Sequence, residues 1–201
     1  MYYNSLMDKK QQLKDLHEKW SEKCQCELKN TATQPVPGDG NPEAEIVFIG
    51  EAPGKQEDLQ GRPFVGAAGK FLNEMLGKIK MKREDIYITN IVKYRPPNNR
   101  DPEPNEKENC IDWLYEELNL INPKLIVFLG RHSMTYFFPT EKISDVHGKL
   151  LIKKFKNIKT KDFLPLYHPA AALYNGGMRN TLIADFKKIP KILEKIKQDL
   201  K

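Results

Sequence analysis

Four short apolar runs divide the 201-residue chain into a regular alternation. They read EIVFI, IYIT, LIVFL and FLPLY, at Glu45–Ile49, Ile86–Thr89, Leu125–Leu129 and Phe163–Tyr167. Two segments between the runs have apolar residues at helical spacing: Phe71, Met75 and Ile79, and, after a Pro102/Pro104 entry, Ile111, Leu114 and Leu118. Buried strands alternating with helices favour right-handed crossovers. The pattern therefore predicts an α/β fold with a mainly parallel sheet.

Two further helices are predicted at the ends of the chain. A polar helix covers about Leu6 to Trp20, and a closing helix runs from about Thr181 to Leu200. Pro190 lies inside the closing helix and should break or kink it, because proline lacks the backbone N–H of a helix interior. The Pro- and Gly-rich stretch Thr31–Pro42 is short enough to be a loop leading into the first strand. We see no internal repeat and no domain boundary.

Composition narrows the class of protein. The chain has 33 Lys and Arg against 27 Asp and Glu, a net charge of +6, and 39% hydrophobic residues, enough for a core. No apolar run approaches the roughly 18 residues that a membrane span needs, and the N-terminus lacks the apolar segment of a secretory signal. We therefore expect a soluble, cytoplasmic protein with no membrane contact. The positive charge is compatible with an anionic partner without singling out nucleic acid.

Polar residues follow all four predicted strands. Glu51 comes just after the first run, Asn90 after the second, the segment Gly130–Ser133 after the third and His168 after the fourth. In an open parallel sheet, ligands bind outside the carboxyl ends of the strands. A carboxylate, an amide, a helix-opening glycine and an imidazole should therefore meet in one cleft, although each alone could be an ordinary turn or capping residue.

Longer motifs around these residues resemble the uracil-DNA glycosylases, specifically the thermostable family 4 branch, from about Cys24 to Phe186. They are GEAPGKQED (Gly50–Asp58), GRPFVGAAG (Gly61–Gly69), TNIVKYRPPNNRDPEP (Thr89–Pro104), LIVFLG (Leu125–Gly130) and YHPAA (Tyr167–Ala171). The resemblance implies one domain over residues 1–201, with a central four-stranded, mainly parallel sheet flanked by helices. It also implies hydrolysis of the bond between uracil and deoxyribose, leaving an abasic site.

The resemblance assigns catalysis to Glu51 and His168. Hydrolysis of an N-glycosidic bond builds positive charge on the sugar and negative charge on the departing base, so it needs a carboxylate near the sugar and donors near the base. By resemblance, Glu51 positions water and offsets the sugar cation, and His168 donates a hydrogen bond to uracil O2. Without the family, Glu51 could cap the next helix and His168 could be a satisfied strand-end histidine.

Base recognition is also assigned by resemblance. Asn90 corresponds to the residue that reads uracil, accepting from N3–H and donating to O4, and Phe64 to the aromatic ring that stacks on the flipped base. The backbone around Ala52 and Gly54 should line the pocket. Gly54 stands where other uracil glycosylases place a tyrosine against the thymine methyl group. That leaves Glu57 and Asp58 as candidates for excluding thymine, of which we retain Asp58 among the substrate-binding residues.

DNA contacts are expected from two segments. Gly130, Arg131 and Ser133 would open a helix whose N-terminal amides bind phosphate. The second segment is 170–179, which corresponds to the family's minor-groove insertion loop and contains an Asn-Gly-Gly sequence that makes it look longer than usual. Its candidate wedge residues are Leu173 and Tyr174, and its candidate phosphate clamp is Arg179. A lysine-rich stretch, Lys149–Lys161, could be a solvated hairpin face or a DNA track.

The main departure from the family concerns its iron–sulfur cluster. Family 4 members usually bind a 4Fe-4S cluster through a C-x-x-C pair, a cysteine after the second strand and a cysteine on the following helix. Here the pair is Cys24 and Cys26, one residue too close together, and Tyr94 replaces the third cysteine, while Cys110 occupies the fourth position. The odd number of cysteines argues against a disulfide framework. A cluster on three cysteines, another metal and no metal all remain open.

The sequence leaves two alternatives to uracil excision: a DNA-binding module that has lost catalysis, and a glycosylase that accepts a broader range of bases. A nucleotide-binding enzyme is disfavoured because neither GxGxxG nor a Gly-Lys-Ser/Thr ending follows the first strand, so no nucleotide cofactor is expected. A related branch traps DNA covalently with a histidine after the second strand. Tyr94–Pro104 contains no histidine, which predicts turnover. The expected partner is uracil-containing DNA, single- or double-stranded, bound by a monomer.

Overall fold

A six-stranded sheet forms the centre of the protein, for which the computed structural model describes residues 8–199. Its strands are β1 (Asp39–Gly40), β2 (Ile46–Gly50), β3 (Tyr87–Asn90), β4 (Leu125–Leu129), β5 (Leu151–Ile152) and β6 (Asp162–Leu166). They lie in the order β1-β3-β2-β4-β6-β5, with the inner four parallel and both edge strands antiparallel. The predicted α/β fold with four central parallel strands is confirmed. The edge strands were not predicted, because two residues are too few to show a pattern.

Helices cover both faces of the sheet. They are α1 (Lys9–Lys23), α2 (Lys55–Gln60), α3 (Ala67–Lys78), α4 (Pro104–Ile121), α5 (Arg131–Phe137), α6 (Ile143–Val146), α7 (Ala171–Tyr174), α8 (Gly176–Phe186) and α9 (Ile189–Asp199). The predicted opening helix is α1, and its expected first residues Leu6 and Met7 lie outside the described residues. The predicted closing helix is broken into α8 and α9, and Pro190 lies in the first turn of α9, where a missing N–H is tolerated. Leu200 lies outside the described residues.

Side chains of the inner strands alternate between two hydrophobic cores. In β2, Val47 and Ile49 face the core shared with α1, α4 and α5, whereas Ile46 and Phe48 face the core shared with α3, α8 and α9. All four are at most 2% exposed. This burial on both faces explains why the strands appear as continuous apolar runs. Within residues 8–199, no helix is both long and apolar enough to cross a membrane.

The strand order reverses between β2 and β4, since β3 lies on the far side of β2. This is the position at which parallel sheets open a cleft at their carboxyl ends.

The turn of the lysine-rich stretch lies away from this cleft, because Leu151 pairs with Phe163 and Ile152 with Asp162. The turn 153–161 therefore lies at the beginning of β6, at the opposite edge from the cleft. This placement favours the solvated hairpin face over a DNA track.

Candidate active site

A small pocket opens at the carboxyl edge of the sheet. Its lining residues are Ala52, Gly54, Glu57, Phe64, Ala68, Asn90 and His168. Five of them were assigned to substrate binding or catalysis from the sequence, and the structure brings these five together. They come from the ends of three different elements and from the segment before α3. Glu57 and Ala68 complete the lining.

Asn90 presents a free acceptor to this pocket. It is the last residue of β3 and only 2% exposed, and within the described part of the chain its Oδ1 has no hydrogen-bond partner. The neighbouring residue on β2 is Gly50, where an added Cβ would collide with Asn90 Oδ1 and with the Phe64 ring. Glycine at this position therefore lets the amide and the aromatic ring approach the strand end. A buried acceptor without a protein partner is rare, and this one is open to a donor that enters the pocket.

Phe64 is held by its backbone. Its φ of 52° lies in the left-handed region, which a bulky residue adopts only when its surroundings impose it. Arg83 supplies part of that constraint, since its guanidinium donates to the carbonyl oxygens of Pro63 and Phe64. The Phe64 ring lies 5.7 Å from the His168 ring, centroid to centroid. The aromatic wall of the pocket is thus positioned before any ligand binds.

Glu57 and Asp58 are neighbours on α2 but face different ways. Glu57 Oε1 accepts from the backbone N–H groups of Val65 and Gly66, at 2.9 Å and 2.8 Å, and its side chain lines the pocket. The Asp58 carboxylate is 3% exposed and accepts from the N–H and the hydroxyl of Thr33. Asp58 therefore ties α2 to an upstream loop and does not line the pocket. The assignment of Asp58 to the substrate pocket is corrected here, and Glu57 is the residue of the pair that lines it.

The protonation state of His168 follows from its surroundings. Burial lowers its pKa to about 4, so the imidazole is neutral at physiological pH. The N–H of Ala170 donates to Nδ1 at 3.1 Å, and a neutral imidazole then carries its proton on Nε2. His168 is therefore a neutral donor through Nε2, the tautomer that the sequence left undetermined.

Glu51 lies in an adjoining cleft that shares His168 with the pocket. Burial, and secondarily the charge of Asp101, raises the pKa of Glu51 to about 7, against the opposing effects of Lys107 and Arg131. Its Oε1 lies 3.9 Å from Lys107 Nζ and 3.3 Å from Nδ1 of His132. Sequence reasoning gave no role to Lys107 or His132. His132 lies in the segment after the third run, and that position was the available signal.

This raised pKa predicts an acid limb in the pH dependence of base excision, the reaction that the resemblance implies. If only ionised Glu51 supports the reaction, the excision rate under subsaturating conditions should fall about tenfold per pH unit below about 7. His168, with a pKa of about 4, stays neutral over that range and should not contribute. The measurement is single-turnover excision between pH 5 and 8, with DNA binding checked at each pH. A rate that stays flat down to pH 5 would contradict the raised pKa.

The segment after β4 opens a helix at the cleft, as expected, with Gly130 as the residue before its first turn. Gly130 adopts a φ of 101°, and an added Cβ there would come within 3.1 Å of His168 Cβ. The Ser133 side chain is fully buried, and its hydroxyl donates to the Gly130 carbonyl at 3.1 Å, so this hydroxyl is not available to DNA. Arg131 is exposed and donates from Nε to His132 Nε2 at 3.0 Å. The expected contact of Ser133 with phosphate runs through the backbone amides at the start of α5, and it stays a prediction.

The expected insertion loop is largely helical. Residues 171–174 form α7, and α8 begins at Gly176 after Asn175, whose side chain accepts from the Gly177 N–H. Leu173 is 48% and Tyr174 91% exposed, so both could enter a base stack. Arg179 pairs with Glu74 and lies over the ring of Phe71, 4.5 Å from its centroid. A phosphate would have to compete with Glu74 for Arg179.

The three cysteines converge in a buried site. Cys24 follows α1, Cys26 precedes a short 3₁₀ helix and Cys110 lies within α4. All three are free and buried, and contact with Cys110 and Cys26 lowers the pKa of the Cys24 thiol. Tyr94 is buried among them and packs against Trp20, with ring centroids 5.0 Å apart. Thiolates are the ligands that soft metals and iron–sulfur clusters prefer, so the three cysteines suit such a group by their chemistry, and the phenol of Tyr94 lies beside them.

Comparison with known proteins agrees with the geometry of the cleft. The family model described as the uracil DNA glycosylase superfamily matches residues 37–201. The type-4 uracil-DNA glycosylase of Archaeoglobus fulgidus is 50% identical over 175 residues, covering 85% of this chain and 87% of the relative. Those of Sulfurisphaera tokodaii and Thermotoga maritima are 51% and 39% identical, covering 82% and 85% of this chain and 77% and 88% of the relatives. The chain therefore belongs to the uracil-DNA glycosylase superfamily and, within it, to the type-4 uracil-DNA glycosylases.

Proposed function

We propose that this uracil-DNA glycosylase excises uracil in the pocket formed by Asn90, Phe64 and His168, with Glu51 acting from the adjoining cleft. The observation that carries the proposal is the pair of complementary groups in the pocket. Asn90 offers a buried acceptor that has no partner within residues 8–199, and His168 offers a neutral N–H donor. A pyrimidine with an N3–H donor and a C2 carbonyl acceptor matches both groups.

Recognition of the base follows from these groups. Uracil N3–H donates to Asn90 Oδ1, and the Asn90 amide donates to O4, while Phe64 stacks on the ring. Cytosine lacks the N3 proton and carries an amino group at C4, so both contacts become mismatched. A base reaches this pocket only after leaving the DNA stack.

The chemical step uses charge stabilisation at both ends of the breaking bond. Ionised Glu51 orients a water molecule and stabilises positive charge on the sugar. His168 Nε2–H donates to uracil O2 as negative charge develops on the leaving base. His168 is already neutral and Glu51 is already partly desolvated. Little reorganisation of these two side chains and of the surrounding water is therefore needed at the moment of reaction. The bond between the sugar C1′ and uracil N1 breaks, the base leaves as the uracil anion, and the oriented water adds to C1′. The proton that this water releases neutralises the uracil anion, which gives uracil and an abasic site.

Exclusion of thymine is assigned to Glu57. Its carboxylate lines the pocket and lies so close to Gly54 that a Cβ there would be 2.8 Å from Oε2. The hydrogen bonds from Val65 and Gly66 to Oε1 keep this side chain from swinging away. A methyl group on the pyrimidine ring would meet a fixed, charged wall, which is unfavourable both sterically and by desolvation.

The DNA strand is held by groups around the mouth of the cleft. Arg131 and Arg179 supply positive charge for phosphates, and the backbone at Gly130 approaches the DNA closely. Leu173 or Tyr174 fills the space that the flipped base vacates. None of these contacts requires a second DNA strand or a second copy of the protein. We therefore infer that a monomer excises uracil from single- and double-stranded DNA.

The three cysteines are proposed to bind an iron–sulfur cluster with a structural role. Cys24, Cys26 and Cys110 would hold it through thiolates, and the site would lack a fourth cysteine because Tyr94 replaces it. When bound, such a cluster cross-links the segment after α1 to α4. Glu51, Asn90 and His168 lie on the strand ends, so their chemistry does not pass through the cluster.

The expected result for metal removal follows from that placement. Protein purified anaerobically should contain iron and acid-labile sulfide, and air should release them. The metal-free protein should melt at a lower temperature but lose much less than the factor of about 100 expected for loss of a catalytic group. Iron and sulfide assays, a melting curve and single-turnover excision measure this. A stable cluster whose removal abolishes excision in folded protein would contradict the structural role.

The test of the proposed function is direct release of the base. Oligonucleotides that differ at one position, carrying uracil, thymine, cytosine or hypoxanthine, are incubated with the protein, and the free base is quantified. We expect uracil release with an equal yield of abasic sites. Release of hypoxanthine at a comparable rate would favour the broader glycosylase, and binding without release would favour the DNA-binding module.

A further inference from the structure

A buried ion pair lies directly behind Asn90. Lys93 Nζ is 2.7 Å from Glu117 Oε2, and the two side chains are 3% and 1% exposed. Burial alone would raise the pKa of Glu117, but Lys93 and His17 hold it well below its usual range, so the carboxylate remains charged. Glu117 belongs to α4, and Lys93 lies in the segment that follows β3.

The lysine connects this pair to the base pocket. Its ammonium group donates to Glu117, to the hydroxyl of Thr89 and, at 3.0 Å, to the backbone carbonyl of Asn90. Glu117 in turn accepts from the hydroxyls of Tyr87 and Thr89, at 2.8 Å and 2.9 Å. All three protons of Lys93 therefore have acceptors. One of these acceptors is the backbone carbonyl of Asn90, the residue that lines the pocket.

Stability alone does not account for a charged pair at this place. Desolvation of two charges offsets much of their attraction, and uncharged replacements of similar volume are often as stable. Asn90, by contrast, needs an external constraint. Its Oδ1 has no partner among residues 8–199, so this oxygen does not anchor the side chain. Its location is then set through the backbone, which pairs with Gly50 of β2 and accepts from Lys93 at the Asn90 carbonyl.

We propose that the Lys93–Glu117 ion pair is a positioning device for Asn90 that sets the rate of uracil excision. By holding the Asn90 carbonyl, the pair keeps the amide at one distance from the uracil edge. A misplacement of about 1 Å at a reacting group can lower a rate by about 100-fold. The inference rests on the proposed role of Asn90 as the uracil reader.

The test uses the double variant Lys93→Met/Glu117→Gln. Methionine fills the volume of the lysine stem, and glutamine keeps one acceptor oxygen for one of the two hydroxyls that donate to Glu117, while its NH2 group can donate to the other. We expect a melting temperature near that of the parent, unchanged binding of uracil-free DNA, and a kcat lowered by about 10- to 100-fold. Tyr87→Phe is the matched control, since it removes a hydrogen bond to the same carboxylate without touching Asn90, and it should leave kcat near the parent value.

Repeating the double variant in an Asn90→Ala background separates positioning from general damage. If Lys93 acts through Asn90, the double replacement should cause no further loss of kcat there, whereas general damage would lower kcat by the same factor in both backgrounds. Equal losses in both backgrounds would overturn the proposal. So would failure to fold both of this variant and of Lys93→Met/Glu117→Leu, because the pair would then be required by the fold. An Asn90→Ala single variant with parental activity would refute the proposed role of Asn90 instead.

Discussion

Replacement of Glu51 by glutamine is expected to lower the single-turnover rate of uracil excision by a factor of about 100 to 1,000. Glutamine keeps the size of the side chain and removes the charge that stabilises the sugar cation. Replacement of His168 by alanine should have an effect of the same order, because it removes the Nε2–H donor from the leaving base. DNA binding should largely persist in both variants, since neither residue is assigned to phosphate.

Two controls make this result specific. Asp58→Asn alters a buried carboxylate on α2 that bonds to Thr33 and faces away from the pocket. In folded protein, this variant should lose far less of the excision rate than Glu51→Gln or His168→Ala. The acid limb near pH 7 should also disappear in Glu51→Gln, because the titrating group is gone. Rates for Glu51→Gln and His168→Ala close to that of the parent would show that the chemistry lies elsewhere.

Replacement of Asn90 by aspartate is expected to change which base is excised. A well-matched pair of hydrogen bonds to a base edge is worth about 1 to 3 kcal/mol, so uracil excision should fall by about 10- to 100-fold. The carboxyl group can accept from the N4 amine of cytosine, and cytosine excision should become measurable. The measurement is the ratio of cytosine to uracil excision on otherwise identical oligonucleotides.

The matched variant for this prediction is Asn90→Ala. It should lower uracil excision without admitting cytosine, because it offers neither donor nor acceptor. Undiminished uracil excision by Asn90→Asp would show that another residue reads the base. Equal gains of cytosine excision in both variants would indicate a loosened pocket rather than a changed hydrogen-bond pattern.

Much of the fold was predictable because the four central strands are buried on both faces and appear as unbroken apolar runs. The convergence of Glu51, Asn90 and His168 followed from the rule that parallel strands end at the same edge. The roles of these residues came from the resemblance to a family. Composition and spacing alone left turn and capping explanations open.

The remaining features depend on contacts that no local pattern records. Glu57 and Asp58 are adjacent, but successive helix residues point about 100° apart, so only the packing of α2 decides which one faces the pocket. His132 approaches Glu51 because β4 lies beside β2. Lys93 and Glu117 are 24 residues apart and appear in the sequence as ordinary charges. The tautomer of His168 depends on one backbone N–H.

Excision of uracil by this cleft through Glu51 can be measured in one strand-scission assay. An oligonucleotide with a single deoxyuridine is incubated with parent protein or with Glu51→Gln at equal DNA occupancy, then treated with alkali to break the strand at abasic sites. We expect scission at the deoxyuridine with the parent and little or none with Glu51→Gln over the same time. Equal scission by both proteins, or none by the parent, would contradict it.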